Sequence, residues 1–396
     1  MDRALKDIKV IDLTRVLAGP YATTILADMG ARVIHVEMPG TGDDSRGFGP
    51  YVNGESRYFM SLNRNKEGIT LNLKSDSAKE ILKKLIMDAD IVVENFKPGT
   101  MEKLGFGYED IVKWKSDIIY AACSGYGHTG PYSERPAYDA VVQAMGGLMS
   151  ITSNVPNGEP TRVGSSIGDI LAGIYTATGV LAAIYHKSKT GEGQKVDVSM
   201  LDCQVAILEN AVIRYYATGI APAPVGNRHA SITPFEPFKC ADDIYLVVAA
   251  GNDKLWATFC NLVNRQELID DARFKTNALR TDNHSELKPI MDEIMKAKNA
   301  DVWAEIFETN GIPCTTINTI DKVVTNPQII ARKMIAETYH PKVGVQHLAN
   351  LPIEFSKTPR AIYKAAPLLG EDNEKILKEL GYSDEDIEKF VEDGVI

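Results

Sequence analysis

The sequence has few cysteines and histidines, and their spacing excludes several kinds of site. Its 396 residues include five cysteines, at positions 123, 203, 240, 260 and 314, with no Cys-x-x-Cys pair. This spacing argues for reduced thiols in a cytosol and against a zinc site. The seven histidines do not occur in pairs at i and i+4, the spacing of two metal ligands on one helix. We therefore expect no metal site.

Long apolar runs and an excess of basic residues are also missing. No window of 18 uncharged apolar residues occurs, and the first residues, MDRALKDIKVIDLT, contain no signal-peptide core. We therefore expect no membrane span and a cytoplasmic location. The net charge of −10 argues against nucleic-acid binding, although a local basic cluster could still hold a phosphorylated ligand.

The composition is otherwise that of an ordinary globular protein, with 44% hydrophobic and 24% charged residues. Strand and helix patterns alternate over the first third of the chain. Strands are predicted at 8–13, 32–37, 68–73, 90–95 and 117–124, and helices at 19–29 and 75–87. This alternation predicts an α/β fold with a doubly wound parallel sheet.

The composition changes at two places further along the chain. Residues 205–235 are rich in Pro, Ala and Gly and indicate a linker, after which a smaller α+β region begins. A second change falls near residue 325, and VGVQHLANLPIEFS at 343–356 predicts paired strands. The last residues predict two short amphipathic helices separated at Gly381.

Four loops rich in Gly and Pro follow predicted strands, and three of them carry basic residues. They span residues 14–21, 38–46, 95–105 and 124–132. The carboxyl ends of parallel strands form the ligand-binding edge of such a sheet. We therefore expect the four loops to converge on one site.

One loop contains a literal GxGxxG motif, Gly125 to Gly130. A dinucleotide fold needs a helix to begin inside that motif, so that the pyrophosphate meets the helix N-terminus. Here Pro131 and a polar stretch follow, and no helix is predicted before about Tyr138. The motif therefore does not indicate nicotinamide or flavin binding.

A carboxylate, Asp169, opens a long run of small and apolar residues, RVGSSIGDILAGIYTATGVLAA. Ser166 and Asp169 have the spacing of a capping box, and a negative charge in the first turn suits the helix dipole. An ionised carboxylate is also a nucleophile. The two roles are compatible, and this stretch alone leaves both open.

The chain resembles the family III CoA-transferases over essentially its whole length. The resemblance is carried by the following ordered stretches: LAGPYAT, LADMGARVIHVE, LNRNKEGITLNL, VENFKPGTMEKLG, SGYGHTGPY, PAYDAVVQAMGG, RVGSSIGDILAG, KTGEGQKVDVSMLD, NPQIIARKM and APLLGEDNEKILKELG. It implies a large α/β domain made from both chain ends (1–204 and 326–396), a linker (205–235) and a small α+β domain (236–325). It also implies an interlocked homodimer.

The same resemblance implies the reaction and its residues. CoA would pass from an acyl-CoA to a free carboxylate, with the CoA thioester as a substrate and with no permanently bound cofactor. The nucleophile falls on Asp169, beside a Tyr–acid pair at Tyr138 and Asp139. Positions that hold CoA are the following: Val16, Leu17, Lys74, Asn95, Phe96, Lys97, Lys103 and Met200.

The resemblance leaves the substrates open. Position 17 is Leu, where formyl-CoA transferases acting on oxalate carry Gln, and their glycine-run loop is missing. Residues 225–235 are similar instead to acetyl-CoA:oxalate CoA-transferases, which favours a short acyl-CoA and oxalate. There Arg228 and His229 are candidates for binding a small dianion, or for capping a turn or contacting a dimer partner.

Three alternatives remain at this point. Succinate or a 2-hydroxy acid is a possible acceptor. A 2-methylacyl-CoA racemase would need two acid/base groups flanking a carbon, and racemases of this kind place a histidine where this chain has Tyr138. A non-enzymatic acyl-CoA-binding protein is disfavoured because Asp169 is retained in its glycine-rich setting.

Overall fold

The computed structural model describes residues 2–396. Their contacts divide the chain into two compact units. The first unit comprises the residues up to Leu148, Arg162–Glu209 and Pro327–Ile396, and the second comprises Met149–Thr161 and Asn210–Asn326. The first unit therefore combines residues from both ends of the chain. The segment 205–235, predicted as a linker, contains the helix Asn210–Thr218, and its residues from Asn210 onward belong to the second unit.

The strands are β1 Lys9–Asp12, β2 Arg32–Glu37, β3 Tyr51–Val52, β4 Glu55–Ser56, β5 Lys66–Thr70, β6 Ile91–Glu94, β7 Ile119–Ser124, β8 Lys195–Ser199, β9 Phe235–Lys239, β10 Tyr245–Ala249, β11 Cys314–Thr316, β12 Ile335–His340 and β13 Gly344–Ala349. The α-helices are α1 Ala18–Asp28, α2 Arg57–Leu62, α3 Asp76–Met87, α4 Thr100–Leu104, α5 Tyr108–Ile111, α6 Asp139–Met145, α7 Ile167–Thr190, α8 Met200–Ala206, α9 Asn210–Thr218, α10 Asp253–Leu262, α11 Glu267–Asp270, α12 Asn277–Asp282, α13 His284–Met295, α14 Ala300–Thr309, α15 Ile320–Val324, α16 Pro327–Ala331, α17 Asn373–Glu379 and α18 Asp384–Glu392. Short 3-10 helices lie at Asp44–Gly47 and Met149–Ile151.

The first unit is built on a six-stranded parallel sheet with the order β5-β2-β1-β6-β7-β8. The chain first moves outward from β1 to β2 and β5, and then returns to the other side of β1 with β6. The point where the strand order reverses therefore lies between β1 and β6, the place where open α/β sheets bind ligands. The parallel sheet and all five predicted strands are confirmed, with small differences in their ends.

Alternate side chains of the central strands pack into two apolar layers, one on each face of the sheet. Ile11 and Ile34 pack on one face with α3 and α17, whereas Val10 and Val33 pack on the other with α1 and α7. Strands buried on both faces must be apolar throughout, which explains why they are easy to find in the sequence.

Helix α7 has 24 residues and is, by length and composition only, apolar enough to cross a membrane. Core helices of soluble proteins can be equally long and apolar. Seven of its residues are buried, and Ala177, Val180 and Ala183 pack in the layer that also contains α1. Its apolar character is therefore explained by packing on the sheet.

The second unit contains an antiparallel sheet, β11-β10-β9, and the helices α10 to α14. Its core is aromatic, with Trp256, Phe259 and Phe307 among its fully buried side chains. Its helices run from Asp253, where α10 begins, to Thr309, where α14 ends, in agreement with the predicted α+β region.

The C-terminal segment differs from its prediction in one respect. Strand β13 pairs with the preceding β12, and residues 350–356 form no strand. The pair has a tight turn at Gly344, which has a φ of 78°. The two predicted terminal helices are present as α17 and α18, on either side of Gly381.

Candidate active site

The loops after β1 and β6 are joined by one side chain at the strand-order reversal. The side-chain oxygen of Asn95 accepts a hydrogen bond from the Arg15 N–H (2.9 Å), and its Nδ2 donates to the Arg15 carbonyl (2.8 Å). Asn95 thus satisfies both backbone groups of one residue across the sheet edge. Because the side chain is engaged in this way, it acts on the site by holding the β1 loop in place.

The next residue of that loop, Val16, has a left-handed backbone conformation with a φ of 68°. This region is sterically costly for a β-branched residue, and such strain persists only where the surroundings enforce it. Here the Val16 N–H donates to both carboxylate oxygens of Asp43 at 3.1 Å. Asp43 in turn accepts from the Ser45 N–H (2.7 Å). The strained turn therefore leads directly into the N-terminus of α1.

Helix α7 begins beside the start of α1. Gly173 makes this approach possible, because a Cβ there would lie 2.7 Å from the Ala18 carbonyl oxygen. Asp169 lies in the first turn of α7, as predicted. The predicted capping box is absent, however, since the Ser166 side chain makes no cap hydrogen bond. The Asp169 carboxyl is therefore not engaged in a capping box with Ser166.

A second acid, Asp139, is hydrogen-bonded to the first turn of α7. Asp139 is buried in the first turn of α6 and accepts the N–H of Gly168 (2.8 Å), together with Nε2 of Gln143 (2.8 Å). Nη2 of Arg162 lies 3.3 Å from Oδ2, the oxygen that also accepts from Gln143. A Cβ on Gly168 would come within 3.1 Å of the Asp139 carboxylate, so only glycine fits without a shift.

The carboxyl of Asp169 is half-buried, and no hydrogen bond or ion pair reaches it from residues 2–396. Burial, with a further contribution from the negative charge of Asp139, raises the pKa of Asp169 to about 7. Such a group is protonated and ionised in comparable amounts near neutral pH. Once ionised, it is a carboxylate with no cation to neutralise it.

Asp169 lines a cavity of about 210 Å³, which we call the Asp169 cavity. Eight predicted residues surround it: Val16, Leu17, Asn95, Phe96, Lys97, Tyr138, Asp169 and Met200. These residues come from five separate stretches of the sequence, and the carboxyl edge of the sheet brings them together. The walls also include Cys123, Ser124 and Gly125 at the end of β7.

A larger cavity of about 390 Å³ adjoins it, with Arg15, Asp44 and Phe96 common to both. We call it the Lys74 cavity, because Lys74 is the lysine among its lining residues. Its apolar walls are formed by Leu13, Val36, Leu71, Leu73 and Leu104. A long ligand could occupy the two cavities end to end.

Several predicted residues lie outside these cavities. Lys103 is exposed on α4 and lines neither cavity, although its neighbour Leu104 lines the larger one. Asp139 lies behind the Asp169 cavity, and Tyr138 at its rim is 76% exposed.

Arg228 and His229 belong to the second unit. The His229 ring stacks on Phe235, and its Nδ1 accepts the Ser231 N–H (3.0 Å). These contacts stabilise a local turn, which is one of the roles considered for the pair.

Two arginines at the site were not among the predicted residues. Arg15 lies at the junction of the two cavities, 5.6 Å from the centre of the Phe96 ring, and Arg135 lines the Asp169 cavity and stacks on Tyr132. Both are in or beside the Gly/Pro loops, where a basic residue was the signal in the sequence that could have identified them.

Within residues 2–396 no group of three or more metal-ligating side chains is suitably placed for an ion.

The first of the GxGxxG glycines also lies at this site, but the motif forms no helix. Residues 125–138 are loop, and α6 begins only at Asp139. Gly127 and Gly130 have φ values of 78° and 90°, so these glycines shape a turn. The motif is therefore a loop of the cavity wall, as the sequence indicated.

Comparisons with known proteins agree with this geometry. The family model described as CoA-transferase family III matches residues 5–373. The chain is 40% identical to succinyl-CoA:glutarate CoA-transferase of Homo sapiens over 396 residues, covering 100% of this chain and 90% of that protein. It is 42% identical to acetyl-CoA:oxalate CoA-transferase of Acetobacter aceti over 330 residues, covering 83% of this chain and 84% of that protein. The crystal structure of a CAIB/BAIF family protein from Brucella suis superposes with a TM-score of 0.84 at 35% identity, over 96% of this chain and 100% of that one.

Proposed function

The chain belongs to CoA-transferase family III and is an enzyme of that class, and on this basis we propose that Asp169 carries CoA from a short acyl-CoA to a small dicarboxylate. One observation supports the proposal above all. The Asp169 carboxyl lies at the wall of a cavity, half-buried and without a cation beside it. Such a carboxylate keeps its oxygen lone pairs available for attack on a carbonyl carbon.

The proposed reaction proceeds by balanced exchanges. An Asp169 oxygen attacks the thioester carbonyl, the C–S bond breaks, and CoA leaves as a thiolate from a mixed anhydride. The thiolate attacks Cγ of Asp169, which releases the donor acid and leaves an aspartyl-CoA thioester. The acceptor carboxylate then attacks Cγ and expels the thiolate, which finally attacks the acceptor's acyl carbon and frees Asp169. Covalent catalysis divides one difficult exchange into several easier ones.

The start of α1 is suited to stabilising the oxyanions of this sequence. The first N–H groups of a helix have no partner within the helix, and the helix dipole favours negative charge there. Leu17 and Ala18 supply such groups at the wall of the Asp169 cavity. Donors fixed before the reaction lower the barrier most effectively.

The two cavities together provide a site for CoA. In the proposal the adenine lies against the leucines of the Lys74 cavity, and the phosphates lie near Lys74 and Arg15. The pantetheine arm then passes Phe96 into the Asp169 cavity. Lys97 and Arg135 remain near the thioester end, where they can attract the free carboxylate of a dianionic acceptor.

Oxalate is the acceptor that we favour, with acetyl-CoA or formyl-CoA as donor, and succinate or glutarate is the second candidate. The Acetobacter relative is named for acetyl-CoA and oxalate, and the human relative for succinyl-CoA and glutarate. All of these acceptors are dicarboxylates, in agreement with the cations around the cavity. Arg228 and His229 remain candidate contacts for the acceptor.

Mass spectrometry of the acyl-CoA products tests the proposal. Formyl-, acetyl- and succinyl-CoA are each incubated with oxalate, glutarate, succinate, malate and 2-hydroxyisocaproate. Asp169→Ala is measured alongside Asp384→Ala, which removes a first-turn carboxylate from α18 and serves as the matched control. A CoA adduct on the peptide that contains Asp169, detected after mixing with acyl-CoA, identifies the intermediate.

We expect wild type and Asp384→Ala to form a new acyl-CoA and Asp169→Ala to form none. The most reactive pair then names the substrates. Turnover by a folded Asp169→Ala variant would contradict the nucleophile role. Exchange confined to monocarboxylates would contradict the dicarboxylate acceptor.

A homodimer is part of the proposal. The resemblance implies one, and α9 exposes an apolar face on which Ile213 and Tyr216 are 68% and 81% exposed. Sedimentation equilibrium should give twice the mass of one chain, whereas a single-chain mass at micromolar concentration would contradict the dimer.

A further inference from the structure

A buried histidine lies between the two acids that shape the β1 loop. His35, on β2, is fully buried, and its Nδ1 lies 3.1 Å from Oδ2 of Asp12. Its Nε2 lies 3.8 Å from Oδ2 of Asp43. The register of the sheet places His35 directly beside Asp12, since the two are paired residues of β1 and β2. Neither contact has hydrogen-bond geometry, so the attraction is one of charge.

Each of the two acids holds one part of the loop that precedes α1. Asp12 accepts from the N–H of Thr14 (3.0 Å) and from the hydroxyl of Thr14 (2.5 Å). Asp43 accepts from the N–H of Val16, the residue with the left-handed backbone. His35 therefore contacts the supports of both parts of the loop without touching the cavities itself.

The charges around His35 favour its protonated form. Five charged groups form the cluster around the ring: Asp12 on β1, Glu37 on β2, Asp43 in the following loop, Lys66 on β5, and Arg46, which joins it through its ion pair with Glu37. Three are acids and two are bases, so an imidazolium completes a neutral cluster. A buried cluster with an unbalanced charge would be strongly destabilised. Burial alone disfavours the imidazolium, but the acids outweigh this effect and raise the pKa of His35.

We propose that His35 is a positioning residue which, as an imidazolium between Asp12 and Asp43, holds the strained Val16 turn in the conformation that binds CoA. The inference rests on the proposed CoA site at this turn. Without the positive charge, Asp12 and Asp43 repel each other, and Asp43 no longer stays in place to accept the Val16 N–H. The strained turn then relaxes, and the binding-competent conformation becomes a minor one.

Binding of free CoA, measured by isothermal titration calorimetry, tests this role apart from turnover. His35→Asn removes the charge, and His35→Lys replaces it with another cation. If the competent turn falls to about one molecule in ten, the apparent Kd for CoA rises about tenfold in His35→Asn. Val16→Gly adopts a left-handed φ at little cost, so His35→Asn should raise the Kd much less in a Val16→Gly background than in wild type.

A second readout is the pH dependence of CoA binding. In wild type the Kd for CoA should increase as the pH rises through the folded pKa of His35, which lies above 6.5. His35→Lys replaces the imidazolium with an ammonium whose ordinary pKa is far above this range, so it should lack that increase. Comparison of the two proteins cancels the ionisation of the CoA phosphates, which is common to both.

Asp28→Asn is the matched control. It breaks a different buried ion pair, the one between Asp28 on α1 and Arg64, and Asp28 lines neither cavity. We expect it to lower the melting temperature as His35→Asn does, but to bind CoA with the wild-type Kd. If folded His35→Asn binds CoA as wild type does, or if it raises the Kd as much in a Val16→Gly background as in wild type, the positioning role is wrong. If wild type itself does not bind CoA while Asp169-dependent turnover persists, the proposed location of the CoA site is wrong instead.

Discussion

Asp139 accepts a hydrogen bond from the N–H of Gly168 and thereby fixes the residue that immediately precedes Asp169. The same carboxylate places a second negative charge close to the nucleophile. One side chain thus controls both the position of Asp169 and its affinity for a proton. These two effects can be separated by experiment.

The rate should depend on pH through Asp169. Because the nucleophile must be ionised and the pKa of Asp169 is about 7, kcat/KM should rise with pH to a plateau, with a midpoint near 7. In Asp139→Asn the neighbouring negative charge is lost, so we expect the midpoint to move to lower pH. Initial rates from pH 5 to 9 measure both profiles, and identical midpoints would show that Asp139 has no electrostatic role.

The same shift has a consequence for stability. Asp169 binds its proton more tightly in the folded chain, with a pKa of about 7, than in the unfolded chain, where the ordinary value is 3.8. The free energy of unfolding therefore falls as pH rises from about 4 to 7 and is constant above. Asp169→Asn should be more stable than wild type above pH 7, by on the order of 1–3 kcal/mol, and similar to it near pH 4. Urea denaturation at the two pH values checks this, and a variant less stable than wild type at pH 8 would contradict it.

Gly168→Ala should reduce turnover by roughly 100-fold, because small displacements of a reacting group are this costly. The new Cβ would lie 2.8 Å from a methyl group of Val142 and would force the start of α7 to move. Gly164→Ala is the control on the same loop, since a Cβ there has no atom within 4 Å. Steady-state kinetics should leave this second variant near wild type, and equal losses in both would point to general loop sensitivity.

Asn95→Ala should raise the KM for acyl-CoA about five- to thirtyfold, which corresponds to roughly 1–2 kcal/mol for the two lost hydrogen bonds. Asn350 provides the comparison, because its side chain also bridges two backbone groups, those of Lys333 and Leu351. We expect Asn350→Ala to leave the KM unchanged. An equal rise of KM in both variants would mean that the two hydrogen bonds between Asn95 and the Arg15 backbone have no specific role in acyl-CoA binding.

The strands buried on both faces could be predicted from the sequence because they are continuous apolar runs. Strand β8 was not among the predicted strands, since Lys195 and Asp197 alternate with valines at the edge of the sheet. The pairing of β12 with β13 was also not predicted, because residues 335–340 include polar side chains and lack the continuous apolar run of a buried strand.

The candidate site could be predicted in part. Asp169 and six other predicted lining residues lie in sequence motifs that carry the family resemblance, and Val16 directly precedes one of these motifs. The Val16 turn and the His35 cluster depend on contacts between β1, β2 and β5, which are far apart in sequence. Arg15 and Arg135 lie in or beside Gly/Pro loops expected at the site, so their charge was a usable signal, but only the path of each loop in the structure shows that they reach the cavities.

The edge strand β5 is completed by residues more than 290 positions later. Asp372 and Gly68 exchange hydrogen bonds, the Thr70 N–H donates to Asn373, and the Asn72 N–H donates to the Val395 carbonyl. During synthesis β5 leaves the ribosome long before residues 372–395, which supply its hydrogen-bond partners. The nascent chain therefore carries an unpaired sheet edge while the second unit is being translated. Exposed edges of this kind pair readily with other chains. Efficient production of the protein should therefore depend on chaperones that shield the ribosome-bound intermediate until the last segment is released.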